Sequence, residues 1–358
     1  MADAVLPTEE AAPHEAPPAL RVAPVAAWLA EHAGLALPVQ ITLVAGGRSN
    51  LTYRVTDAGG RRVALRRPPA GLLLETAHDM RREWLVLTAV AGSAVPAPRP
   101  LALCEDETVT GAPFYVMEWV DGLVPADERA ASALAPDARR HLTEDLADVL
   151  AALQALDPAE VGLTGWVRPG DYLQRQLKRW HRQLHQSGST HLALADAVHD
   201  RLVRLAPAGE DRVVHGDFRA GNVLVGPGGS VRAVLDWELA TLGHPLADLG
   251  WLVASWRTGG HDPLPVTETP SGLAGFGSAE DLVQRYAERS GRDVSALPVY
   301  EAFARWRSAC IHAGVRARYL AGAMADDGFD AGRLDDQLGV QLEAAAELVR
   351  RLPEPARP

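Results

Sequence analysis

The 358-residue chain carries 35 Lys and Arg against 46 Asp and Glu, a formal net charge of −11, and 47% of it is apolar. That length suggests about two folding units with a sizeable buried core, and the acidic balance argues against a nucleic-acid partner, which needs a basic face. No apolar run approaches the ~18 residues of a membrane span. The opening residues are acidic where an export signal is basic, and Cys104 and Cys310 form neither a disulfide framework nor a zinc cluster. The expectation is a cytoplasmic protein with no membrane or nucleic-acid partner and a small-molecule ligand, its oligomeric state left open.

Residues 1 to about 20 are rich in Pro, Ala and Glu and read as a disordered tail. Val22 to Gly34 reads as a helix ending at the glycine. Ile41–Val44 and Leu51–Thr56 read as strands around the turn Ala45–Asn50, and Arg62–Arg66 as a third strand after Asp57-Ala58-Gly59-Gly60. Thr76-Ala77-His78-Asp79 fits a capping box opening a helix to about Ala91. Phe114–Val120 is an apolar strand. Beyond it, Arg139–Leu156, Tyr172–Gln186, Ala279–Ser290, Val299–Leu320 and Leu334–Leu352 have helical periodicity. One strand-rich island interrupts them: Val213–Val214, Asn222–Val225 and Val231–Leu235, the last two joined as a hairpin by Gly226–Ser230. Strands followed by helices make an α+β fold. The Gly/Pro-rich stretch from Thr258 to Ser278 reads as a functional loop or a disordered one.

The segment from Val213 to Glu238 concentrates the chemistry. Pairing Val225 with Val231 sets Asn222 opposite Val234, with Asp236 just beyond and opposite Ala220. Asn222 and Asp236 then share one end of the hairpin, within about 7 Å, and Asp217 lies in the loop feeding it. Two carboxylates and an amide oxygen suit Mg²⁺. Each residue alone is also an ordinary turn former.

His215-Gly216-Asp217-Phe218-Arg219-Ala220-Gly221-Asn222 matches the H-G-D-x-x-x-x-N loop of aminoglycoside-phosphotransferase-like and choline-kinase-like enzymes, and Leu235-Asp236-Trp237-Glu238 resembles their metal-binding motif. The resemblance runs from about residue 21 to about 350. It is most similar to the kinase-like domain fused to some acyl-CoA dehydrogenases and to its free-standing bacterial relatives, on the phrases Val234–Gly243 and Pro245–Gly250. It implies a bilobal protein-kinase-like fold, with a strand-rich nucleotide-binding lobe over 21–120 and a mostly helical lobe over 121–358 carrying the catalytic loop, metal site and acceptor site.

The resemblance also implies roles. Asp217 takes the acceptor proton, and Asn222 and Asp236 hold Mg²⁺ against the phosphates of ATP; the residues do not separate ATP from GTP. Arg219 either neutralises the transferring phosphate or is a surface arginine. His215 holds the loop, and Asp248 braces it. Gly46, Gly47, Ser49 and Asn50 offer backbone N–H groups and a hydroxyl to phosphate oxygens. Alternation places Ala64 and Arg66 on one strand face, so Arg66 stands where kinases carry a lysine; Lys178 is the only lysine in the chain. Met80, Glu83, Trp84 and Leu87 share a helix face, and a carboxylate in that stripe needs a cation, for which Arg66 is the candidate. Met117–Val120 resembles the hinge, where the Glu118 carbonyl and the Val120 backbone would meet adenine.

The implied activity is transfer of the γ-phosphate to a hydroxyl of a small molecule. The helix Tyr172–Gln186 gathers Arg175, Lys178, Arg179 and Arg182 on one face, and Trp306, Arg307, Arg316 and Arg318 follow on a later helix. These cations would favour an anionic acceptor, a hydroxy acid or hydroxyacyl-CoA; a solvated basic face is the plain reading. An acidic run at Asp326, Asp327, Asp330, Asp335 and Asp336 reads as a solvated loop. Two alternatives stand beside this: a catalytically weak nucleotide-binding regulator, because Arg replaces Lys, and an aminoglycoside-type kinase with a cationic acceptor. A zinc hydrolase lacks the spacing.

Overall fold

A computed structural model describes residues 20–44, 50–69, 79–166, 172–207, 211–257, 263–264, 269–322 and 330–353. These residues fall into two units, one drawn from 1–123, 223–227 and 231–240, the other from 124–222, 228–230 and 241–358.

The first unit opens with helix α1 (Val22–Ala33) and is built on five antiparallel strands: β1 (Gln40–Leu43), β2 (Leu51–Thr56), β3 (Arg62–Arg67), β4 (Pro100–Cys104) and β5 (Phe114–Glu118), in the order β1-β2-β3-β5-β4. The β2–β3 turn is set by Asp57, whose Oδ1 accepts from the backbone N–H of Gly59 and of Arg61, both at 2.8 Å. Period-2 alternation sends Tyr53, Val55, Val63 and Leu65 to one face, where they pack with Val25 and Leu29 of α1, Phe114 and Val116 into a closed core. Helix α2 (Met80–Val90) packs on β4 and β5 and buries Met80, Glu83, Val86, Leu87 and Val90. The short α3 (Glu107–Thr110) contacts α1.

The second unit is helical: α4 (Glu128–Ala131), α5 (Pro136–Ala155), α6 (Tyr172–Gln186), α7 (Leu192–Leu205), α8 (Leu246–Ser255), α9 (Ala279–Ser290), α10 (Leu297–Leu320) and α11 (Ala331–Arg351). The long α10 packs against α6, α7, α8 and α11, while α5 packs on α9. Gly250 lets α8 and α10 approach closely, since a Cβ there would lie 2.6 Å from the Tyr300 carbonyl carbon. Strand β6 (Arg212–Val214) pairs with a later strand, Thr241–Gly243. Between them in sequence, and belonging to the first unit, lie β7 (Val223–Val225) and β8 (Val231–Val234), which make Thr241–Gly243 strand β9.

Most element ends differ from the sequence expectation by one to three residues, and two starts and one register bear on the site. Helix α2 starts at Met80 with Asp79 as N-cap, its Oδ1 accepting from the N–H groups of Arg81 (3.0 Å) and Arg82 (3.2 Å); the expected cap residue Thr76 lies outside the described residues. β7 begins at Val223, because Ala220–Asn222 forms a 3-10 turn. Val225 does face Val231, but a bulge between Leu224 and Val225 then brings Val223, not Asn222, opposite Val234.

Candidate active site

In the second unit, β6 delivers the chain into a buried loop. Gly216 sits at φ +85, a left-handed conformation that costs a side-chain-bearing residue. The N–H of His215 donates to Asp248 Oδ2 (2.7 Å) and that of Gly216 to Oδ1 (2.8 Å). Asp248 is 1% exposed. Burial pushes its carboxyl above the ordinary range, against the pull of His215 and of the two backbone N–H groups. His215 is fully buried, and its Nδ1 accepts from the Asp217 N–H at 3.2 Å.

Asp217 is held at both oxygens. Trp251 Nε1 donates to Oδ1 at 2.6 Å, and Asn222 Nδ2 donates to Oδ2 at 2.7 Å and to the Asp217 carbonyl at 2.8 Å. Asn222 spends its amide nitrogen on Asp217, so its oxygen is the atom chemically suited to a cation. Arg219 Nε stands 3.5 Å from Asp217 Oδ2.

Sequence reasoning missed Trp251 and gave Arg307 a different place, among the exposed cations. The Arg307 guanidinium lies over the Trp251 ring at 3.9 Å and donates to the Gly216 carbonyl at 2.6 Å. Arg307, expected as an exposed cation, is instead buried at 6% exposure, and the neighbouring Trp306 is fully buried. On α6, Leu173, Leu177, Trp180 and Leu184 are buried as expected, and Lys178, Arg179 and Arg182 are exposed.

The first unit holds a second cluster, on the β3 face opposite α1. Arg66 Nε donates to Glu83 Oε2 at 2.7 Å, and its Nη2 pairs with Asp236, with Glu238 at 3.9 Å. The ion pair anticipated between Arg66 and Glu83 is therefore present. Glu83 also accepts from the Tyr115 hydroxyl (2.9 Å) and from Asn50 Nδ2 (2.5 Å), and Asn50 reaches Glu238 Oε2 at 3.2 Å. Tyr115 and Thr52 are the cross-strand partners of Arg66, which explains why these side chains converge. Burial pushes the Glu83 carboxyl upward while Arg66 and Tyr115 pull it down. Burial would lower the Arg66 guanidinium, but Glu83, Tyr115, Asp236 and Glu238 more than offset it, so Arg66 stays protonated.

The Arg66 guanidinium meets the carboxylates of Glu83, Asp236 and Glu238. The hard carboxylate oxygens of Asp236 and Glu238 suit a divalent cation such as Mg²⁺. Asp236 stands at φ 65, the one non-glycine residue with positive φ among the described residues, just beyond β8. Of the expected adenine-contacting pair, Glu118 ends β5, facing Val63, and Val120 follows it in irregular backbone. Gly46, Gly47 and Ser49 lie outside the described residues; Asn50 is 3% exposed and bound as above.

A family model described as the phosphotransferase enzyme family matches residues 40–267. The chain belongs to that family. Acyl-CoA dehydrogenase family member 11 of Gallus gallus is 34% identical over 319 residues, covering 86% of this chain and 40% of that protein, so the chain spans about two fifths of its relative's length. A crystal structure of a candidate aminoglycoside phosphotransferase from Ralstonia eutropha is 31% identical with a TM-score of 0.76, over 90% of this chain and 98% of the other. At 18% identity, aminoglycoside phosphotransferase APH(4)-Ia in complex with AMP-PNP and hygromycin B gives a TM-score of 0.57 over 92% and 98% of the two chains, a likeness of fold. The fold is thus protein-kinase-like α+β. No described helix is long and apolar enough to cross a membrane.

Proposed function

We propose that the chain is an ATP- and Mg²⁺-dependent kinase that moves the γ-phosphoryl group to a hydroxyl of a small molecule. What carries this reading is Asp217: a carboxylate oriented at both oxygens, by Trp251 and Asn222, in a loop braced by buried Asp248. In phosphoryl transfer the protein mainly positions groups and neutralises charge. Asp217 orients the acceptor hydroxyl and takes its proton as oxygen bonds to the γ-phosphorus and the bond to the nucleoside diphosphate breaks. Asn222 and Asp236 are the proposed holders of Mg²⁺, which when bound would neutralise charge on the phosphates. Arg66, Gly46, Gly47, Ser49 and Asn50 are the proposed phosphate contacts, Glu118 and Val120 the adenine contacts, and Glu83 keeps Arg66 in place. Arg219 supplies a further positive charge beside Asp217.

For the acceptor, exposed Lys178, Arg179 and Arg182 support an anionic hydroxy acid or hydroxyacyl-CoA thioester. The test is transfer of labelled phosphate from Mg²⁺-ATP to a panel of hydroxy acids, hydroxyacyl-CoA thioesters and aminoglycosides. Transfer to the anionic members supports the reading; transfer to aminoglycosides alone overturns the acceptor class. A second reading rests on the Arg66–Asp236 pair, which ties a proposed metal ligand to the arginine standing in the lysine position. It predicts nucleotide binding with no transfer to any member of the panel.

A further inference from the structure

Helices α6 and α7 bring three ligand-type atoms to one point outside the kinase machinery. His181 and His185 are spaced i, i+4 on α6 and so share a face. Their Nε2 atoms lie 2.8 and 2.9 Å from Asp196 Oδ1 on α7, and 3.2 Å from each other. The side chains are 31%, 41% and 40% exposed, so the point is open to solvent. We propose that His181, His185 and Asp196 form a binding site for a borderline divalent transition metal of the zinc class, with a fourth position left to water.

The triangle of 2.8, 2.9 and 3.2 Å approximates one face of a coordination tetrahedron. Metal–ligand bonds of about 2.0–2.1 Å place tetrahedral ligands roughly 3.3 Å apart, so a metal requires an opening of only a few tenths of an ångström. Two imidazoles and one carboxylate suit Zn²⁺, Co²⁺ or Ni²⁺ and disfavour Mg²⁺, which prefers an all-oxygen set. The site is therefore chemically separate from the proposed Mg²⁺ residues.

The ligands are also fixed beforehand. Buried Leu177, Trp180 and Leu184 set the rotation of α6, and buried Ala195, Val198 and Leu202 set that of α7. Trp306 Nε1 donates to the Ala195 carbonyl at 2.9 Å and so pins the backbone beside Asp196. The His199 ring stacks on His181 at 4.1 Å, and His199 Nδ1 meets Asp200 at 3.1 Å, which restrains the His181 ring. A bound ion would clamp α6 to α7.

The test is metal titration of the full chain freed of any polyhistidine tag. Zn²⁺ binding is followed by calorimetry, Co²⁺ by its visible absorption, and Mg²⁺ serves as the contrast. The expected result is one Zn²⁺ per chain at micromolar concentration, a tetrahedral-type Co²⁺ spectrum, and no Mg²⁺ at this site. His185→Ala and Asp196→Asn should each weaken Zn²⁺ by at least about 10-fold. Their metal-free circular dichroism and melting temperature should match the wild type, which separates ligand loss from misfolding. His191→Ala, on the same unit but outside the triad, should leave binding unchanged. Failure of the wild type to bind Zn²⁺ at micromolar concentration, or equal binding by wild type and both triad variants, overturns the proposal.

Discussion

The indole Nε1 of Trp251 donates to Oδ1 of Asp217 at 2.6 Å, and the Arg307 guanidinium covers the same indole. A buried residue of α8 therefore sets the direction of the carboxylate proposed to take the acceptor proton. Trp251→Phe keeps the ring and removes the donor. A hydrogen bond to a charged group is worth about 1.5–3 kcal/mol, so we expect kcat to fall by roughly 10- to 100-fold with little change in the KM for ATP. Steady-state kinetics on the acceptor identified by the panel checks this; an unchanged kcat removes Trp251 from the account.

Arg66→Met should destabilise the first unit. It leaves Glu83, whose side chain is 1% exposed, without its cation. Breaking a buried ion pair by removing one partner costs about 3–5 kcal/mol, although Tyr115 and Asn50 continue to donate to Glu83. Arg66→Lys should cost less but still weaken the site, since one ammonium does not reproduce the fork that reaches Glu83 and Asp236 together. Urea denaturation curves of the two variants check the order.

Burial pulls the His312 imidazole on α10 from its ordinary 6.5 down to about 4. The unfolded chain then binds more protons than the native state between about pH 4 and 6.5. Stability from this group is complete above pH 6.5 and is lost as pH falls toward 4. The full span is worth about 3 kcal/mol. His312→Gln should flatten the stability curve over that window, measured as urea midpoints at neutral and acidic pH.

Gly250→Ala should destabilise the second unit by about 1–3 kcal/mol or more. The new methyl group meets backbone atoms of Tyr300, which have no rotamer to give. A melting temperature equal to that of the wild type would contradict the close approach of α8 and α10.

The parts of the site legible in the sequence are those that depend on local spacing. The Asp217-to-Asn222 interval is set within one loop, and the Arg66–Glu83 pair follows from period 2 on β3 and one face of α2. What depends on long-range packing was not legible. Every residue of α8 is buried, so it carries no amphipathic signal, and Trp251 and Arg307 reach the loop from helices far away in sequence. β4 begins with a proline, which argues against a strand, and its sequence shows no alternation of polar and apolar residues. The bulge at Leu224–Val225 is a backbone event without a side-chain signature. α7 carries helical periodicity in Ala195, Val198 and Leu202, yet the sequence reading placed no helix there.

The most direct test compares wild type with Asp217→Asn for phosphate transfer and, in the same preparations, for nucleotide binding. A general base contributes about 10²- to 10⁴-fold. The account predicts a rate loss of that size with the dissociation constant for Mg²⁺-ATP nearly unchanged. Equal transfer by the two proteins would contradict it.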